Sequence, residues 1–141
     1  MKRQEQELAE ALHAADNALA HLYTAQDQLR SAGNWGLFDI VAGGFLASAV
    51  KRSKMKDAQR ELDAARDALA VFVRELHDVE GAEGVHIETD GFVSAIDLFL
   101  DNPFVDVYVQ SQIDSARERV AAAIEQVEEI RDQLSRRRAS S

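Results

Sequence analysis

Cysteine is missing from the 141-residue chain, which excludes thiolate nucleophiles, zinc fingers, iron–sulfur clusters and a disulfide framework. Proline occurs once, at Pro103, and glycine only seven times, so little in the chain interrupts a helix. Positive charge is scarce: 16 Lys and Arg stand against 25 Asp and Glu, leaving a formal charge of −9. An acid excess of this size argues against nucleic acid as a partner. Long apolar runs are also lacking. The longest first-half stretch free of Lys and Arg, Ser31 to Val50, is interrupted by Asp39 and falls short of a membrane span, which needs roughly 20 mostly apolar residues. The N-terminal MKRQEQELAEAL is charged and helical in pattern, so a secretory signal is not expected and a cytoplasmic protein is.

What the chain does contain is alanine, 23 residues of it among an apolar fraction of 46%, a composition that leans to helix. Three segments carry apolar residues at alternating steps of four and three. The first, Arg3 to Ser31, has Leu8, Leu12, Ala15, Leu19, Leu22, Gln26 and Leu29. The second, Lys54 to Val79, has Met55, Ala58, Leu62, Ala65, Leu69, Phe72, Leu76 and Val79. The third, Pro103 to Arg138, has Val109, Ile113, Ala116, Val120, Ala123, Val127, Ile130 and Leu134. This is the heptad seam of helices that pack side by side with left-handed supercoiling. Gln26 is the only polar residue on the three seams, and it is expected in a core layer. Gly33, Gly81 and Gly84 follow the first two segments as helix stops, and Asp101-Asn102-Pro103 offers a cap and a first-turn proline for the third.

The expectation is therefore one all-α domain over residues 1–141. Its architecture would be an antiparallel three-helix bundle or coiled coil, with helices at about 3–31, 54–79 and 103–138 and short helices in the two connections. The first connection, 33–50, is the most apolar part of the chain, broken near Gly43-Gly44. In the second, 80–102, Thr89 or Asp90 can cap a short helix with Phe92, Ile96 and Phe99 on one side. Val85, Ile87 and Thr89 alternate like a lone strand.

An up-down-up path brings residues 30–60 and 131–141 to one tip. They hold ten cations (Arg30, Lys51, Arg52, Lys54, Lys56, Arg60, Arg131, Arg136, Arg137 and Arg138) against Asp39, Asp57 and Asp132, a net of +7. Arginines at a helix C-terminus match its dipole, whereas Lys51 to Lys56, at the start of the second helix, do not. The basic run lies beside Trp35, Leu37, Phe38, Ile40, Val41, Phe45, Leu46 and Val50, an apolar set that water seldom keeps. Internal burial, as a cap folded over the bundle end or between the helices, is the first expectation. Docking on a partner or a bilayer surface is the second, through Trp35, Phe38, Phe45, Lys51, Arg52, Lys54 and Lys56.

Catalytic signals are weak. Glu10-Ala-Leu-His13 and Glu83-Gly-Val-His86 have the Glu-x-x-His spacing of di-iron bundles, but no seam position is Glu or His, and such sites need ligands facing inward. The group Glu80, Glu83, His86, Glu88 and Asp90 has no ligand spacing that selects a metal. No phosphate loop and no nucleophile–base pattern is present. No metal and no cofactor is expected. The stretch Asn34-Trp35-Gly36-x-x-Asp39, then Gly43-Gly44 and the basic run, resembles a pattern in uncharacterised bacterial helical proteins. Phe99-x-Asp101-Asn102 with Val109-Gln110 and Ile113 is similar to its second part. The resemblance covers about half of the chain, implies one fold unit spanning both connections, and attaches no activity. The functional expectation is a non-enzymatic helical interaction or scaffold protein, with a protein partner or self-association. The alternative is a peripheral protein of an anionic membrane surface.

Overall fold

Helix propensity and heptad patterning act along the whole chain, and the described backbone is helical throughout. A computed structural model describes the backbone of residues 2–42, 45–83, 90–101 and 110–140, and the side chains of 3, 5–31, 55–79, 92, 94–100 and 112–139. Four helices result: α1 (Lys2–Ala42), α2 (Phe45–Glu83), α3 (Asp90–Asp101) and α4 (Gln110–Ser140). The all-α expectation holds, but the count is four rather than three. The strand-like stretch 85–89 lies outside the described residues.

The helix stops expected at Gly33 and Gly81 were misjudged, whereas α2 does end just before Gly84. α1 runs through Gly33 and Gly36 to Ala42, and α2 runs through Gly81 to Glu83. A glycine inside a helix costs about 1 kcal/mol relative to alanine, too little to end a helix that its neighbours extend. Most of the expected connection 33–50 is therefore helix, and Gly43-Gly44 separates α1 from α2.

Side-chain partners set the directions. His21 of α1 meets Glu61 of α2 at 3.0 Å, and Glu10 lies beside Glu75, so α1 and α2 are antiparallel. Arg131 of α4 pairs with Asp16, whereas Arg117 shares a groove with Arg30 and Gln26, so α1 and α4 are antiparallel too. α3 runs back along α2, with Phe92 against Phe72 and the Leu100 carbonyl reached by Arg66. α1 thus packs on both α2 and α4, and α3 packs on α4 and α2. The path is up-down-up-down with a short third stroke. This replaces the up-down-up path, because α3 carries the chain back before α4 begins.

The core follows from this ring. On α2 all eight expected seam residues are buried, and on α4 every described one is, from Ile113 to Leu134. On α1 the fully enclosed line is Leu8, Ala11, Ala15, Ala18, Leu22, Ala25 and Leu29. Leu12 and Leu19 flank it with 8% and 6% exposure, and Gln26, in the same flanking row, is only half-buried. Gln26 is thus not a core layer, and Ala25 takes that place. A helix that touches two long neighbours needs a wider apolar stripe than a two-helix seam, and α1 has one. In the α1–α2 register, Ala18 comes level with Ala65 and Ala25 with Ala58, while Ala11 comes level with the large Phe72. Alanine against alanine lets the two backbones approach closely. Among the described residues no polar or charged side chain is in the fully buried class.

Candidate functional site

The residues singled out in the sequence fall at one end of the α1–α2 hairpin. Trp35 and Phe38 lie on the last turns of α1, Phe45 opens α2, and Lys51, Arg52 and Lys54 follow within the next three turns. The side chains of these six lie outside the described residues; that of Lys56 is exposed. Because α1 and α2 are each continuous helices, the apolar segment extends along the bundle axis. The helix continues through Gly33 to Ala42; the burial of the apolar side chains in 34–50 lies outside the described residues.

The basic tip is smaller than expected. Arg131 is bonded to Asp16 near the N-terminal half of α1, and Arg138 lines a groove there with Leu12 and Asp16. The arginines of α4 therefore gather at the opposite end from Gly43-Gly44. Residues 30–60 alone keep six cations against Asp39 and Asp57, a net of +4, while the rest of the chain carries −13. Lys51 to Lys56 now lie beyond the first turn of α2, where the helix dipole has little hold on charge. The dipole neither explains nor opposes them.

Two clusters were not anticipated. At the C-terminus of α3, Arg119 of α4 donates through Nη2 to the Leu98 and Phe99 carbonyls at 3.0 Å each, and Arg66 of α2 donates to the Leu100 carbonyl at 2.5 Å. The Arg119 guanidinium also sits 5.7 Å from the Phe99 ring centre. α3 has no basic residue in its own last turn, so cations for its carbonyls come from its neighbours. Burial, and then the nearby Arg66, lower the Arg119 pKa. On the α1–α4 side Tyr23 donates to Glu128, and this bond holds its phenol above the usual range.

The second cluster is acidic. Carboxylate oxygens of Glu7, Glu10 and Glu75 lie within 4.8 Å of one another on the flank between α1 and α2. Exposed His13 lines the adjoining groove. These groups sit outside the core, unlike the inward-facing ligands of di-iron bundles. His86 of the second Glu-x-x-His lies outside the described residues. Burial raises the Glu75 pKa above 4.5, helped by Glu10, Asp78 and Glu7 and opposed by Arg74. A folded-state pKa above the unfolded value means that this carboxyl's stabilising share is present at acid pH and is lost as pH rises through the folded value. Glu75→Gln should then raise the thermal midpoint near neutral pH by about 2–4 °C, with the gap to the parent closing as the solution is acidified. Thermal melts across that range check it, and a pH-independent gap would detach the effect from ionisation.

Comparison of the chain with protein-family models, with curated proteins and with solved structures returned no match. Among the described residues no helix is long and apolar enough to cross a membrane.

Proposed function

We propose that the protein is a non-enzymatic helical bundle that works by docking, with the turn end of the α1–α2 hairpin as the part that meets its partner. One observation carries the reading: the most apolar segment, 34–50, lies on helices that continue along the bundle axis to Gly43-Gly44. In the α1–α4 register the last turn or so of α1 passes the start of α4, so α4 offers it no cover there. An apolar stretch of this size at the end of a bundle is a natural site of contact with something outside the molecule. The remaining surface is acidic and bears polar pairs such as Asp16–Arg131 and His21–Glu61, which suit solvent. The two unanticipated clusters serve the bundle itself: one holds α3 and the other strains a helix flank.

Trp35 is the only tryptophan and reports on this end directly. In full-length protein at a concentration where light scattering gives the 15.6 kDa monomer, acrylamide should quench its emission strongly. A shielded, blue-shifted Trp35 in that monomer would place the segment in the protein's own interior and overturn the docking reading.

A further inference from the structure

We infer that the partner of the hairpin's turn end is an anionic membrane surface, which segment 34–50 enters to within a single leaflet while Lys51, Arg52, Lys54 and Lys56 bind lipid phosphates and carboxylates. This rests on the docking reading and gives it an occupant.

Length is the first argument. Asn34 to Ala42 makes about 13 Å of helix and Phe45 to Val50 about 9 Å, at 1.5 Å per residue. Neither reaches beyond one leaflet, whose hydrocarbon half is about 15 Å thick. A helical hairpin also suits that depth, since helices satisfy most of their backbone hydrogen bonds internally.

Level is the second argument. In the α1–α2 register, Trp35 comes level with the stretch between Ala47 and Val50, next to Lys51. When the hairpin enters up to this level, tryptophan and the basic run arrive together at the boundary between chains and headgroups. Indole and long cationic side chains both favour that boundary. The order along α2, apolar from Phe45 to Val50 and then four cations within six residues, is the order that a membrane surface presents in reverse.

Charge is the third argument. Residues 30–60 carry +4 and the rest of the chain −13, with Lys51 to Lys56 the cations nearest Gly43-Gly44, so an anionic surface attracts the hairpin's turn end and repels the acidic body. That fixes an upright orientation. A protein partner matched to the apolar residues alone gives no reason for the adjoining cations. Asp39, the one acidic residue within 34–50, opposes entry.

The test uses the full chain and vesicles of phosphatidylcholine with and without about 30% phosphatidylserine, read by flotation and Trp35 emission. The expected result is flotation and a blue shift with the anionic vesicles only, lost at high salt, because exposed charges are screened. Each cation near the surface is worth about fivefold in partitioning, so Lys51→Gln, Arg52→Gln, Lys54→Gln and Lys56→Gln together should weaken binding by two to three orders of magnitude, with helicity by circular dichroism unchanged. Phe38→Ser with Phe45→Ser should abolish the blue shift, and Asp39→Asn should tighten binding. Arg136→Gln, Arg137→Gln and Arg138→Gln, at the opposite end, should leave it unchanged. An equal loss with those three would mean unspecific charge attraction and overturn the assignment of the hairpin end. No binding to either vesicle also overturns it. If Trp35 is nevertheless open to acrylamide, docking survives and its occupant is a protein; if Trp35 is shielded, both readings fall together.

Discussion

Phe72→Ala should lower the unfolding free energy by about 3–5 kcal/mol and the thermal midpoint by about 10 °C or more. Phe72 is fully enclosed and meets Phe92 edge-on, with ring centres 5.5 Å apart and planes at 85°. Its size is needed because its level neighbour on α1 is Ala11, which is also fully enclosed. Removing the ring leaves alanine opposite alanine while α3 stays at the distance set by its other contacts, so the cavity collapses only in part. Phe92→Ala and the double variant complete a cycle in which the edge-to-face pair should show about 0.5–1.5 kcal/mol of coupling. Phe72→Leu, which refills most of the volume, should recover the larger part of the loss. A midpoint shift as small as that of a surface substitution would show that α3 does not close the bundle at this level.

That pairing of a large residue with a small one explains how much of the fold could be read from sequence. The seams of α2 and α4 were legible because each helix turns one narrow stripe toward the interior, and a stripe of that kind is the heptad itself. α1 was legible only in part. It serves two long neighbours, so Leu12 and Leu19 share burial with Ala11 and Ala18, and the sequence cannot rank leucine against alanine without knowing which helix comes closer. Gln26 was placed in the core by the same ambiguity. Two helix ends failed for an energetic reason: Gly33 and Gly81 weaken a helix only locally, and at Gly33 continued pairing along the hairpin restores more than the glycine removes.

Topology was hidden in α3. The apolar row of Phe92, Ile96 and Phe99 was visible, and all three residues are buried. What the row does not encode is that α3 returns along α2 and so reverses α4. That reversal moved Arg131 and Arg136 to Arg138 away from the apolar end, and left Lys51 to Lys56 as its main basic group. The trio of Glu7, Glu10 and Glu75 was likewise unreadable, since Glu75 becomes a neighbour of the others only once the α1–α2 register is set. The candidate docking residues rest on contiguity in sequence, and the side chains of all but Lys56 lie outside the described residues.

The arginines at the end of α3 give the second large effect. Arg119→Met keeps most of the apolar stem beside Phe99 but removes the hydrogen bonds to the Leu98 and Phe99 carbonyls. Hydrogen bonds from a charged group contribute about 1.5–3 kcal/mol when their acceptors are out of water, and less at a half-exposed site. A total loss of about 1–3 kcal/mol is therefore expected. Its distribution is the sharper test. α3 has only twelve residues, too few to persist alone, so the loss should appear first as local opening. Amide exchange should speed up in α3 well before it changes in the α1–α2 hairpin. Arg119→Lys should restore only part of the protection, since one ammonium on a flexible stem lacks the fixed fork that spans two successive carbonyls. Arg66→Met, which frees the Leu100 carbonyl, should open the same helix by the same route, and the two substitutions should be non-additive because their guanidiniums disfavour each other. Unchanged exchange in α3 in both variants would mean that apolar packing of Phe92, Ile96 and Phe99 is enough to hold it, and that the bonds to its carbonyls contribute nothing to closing the bundle.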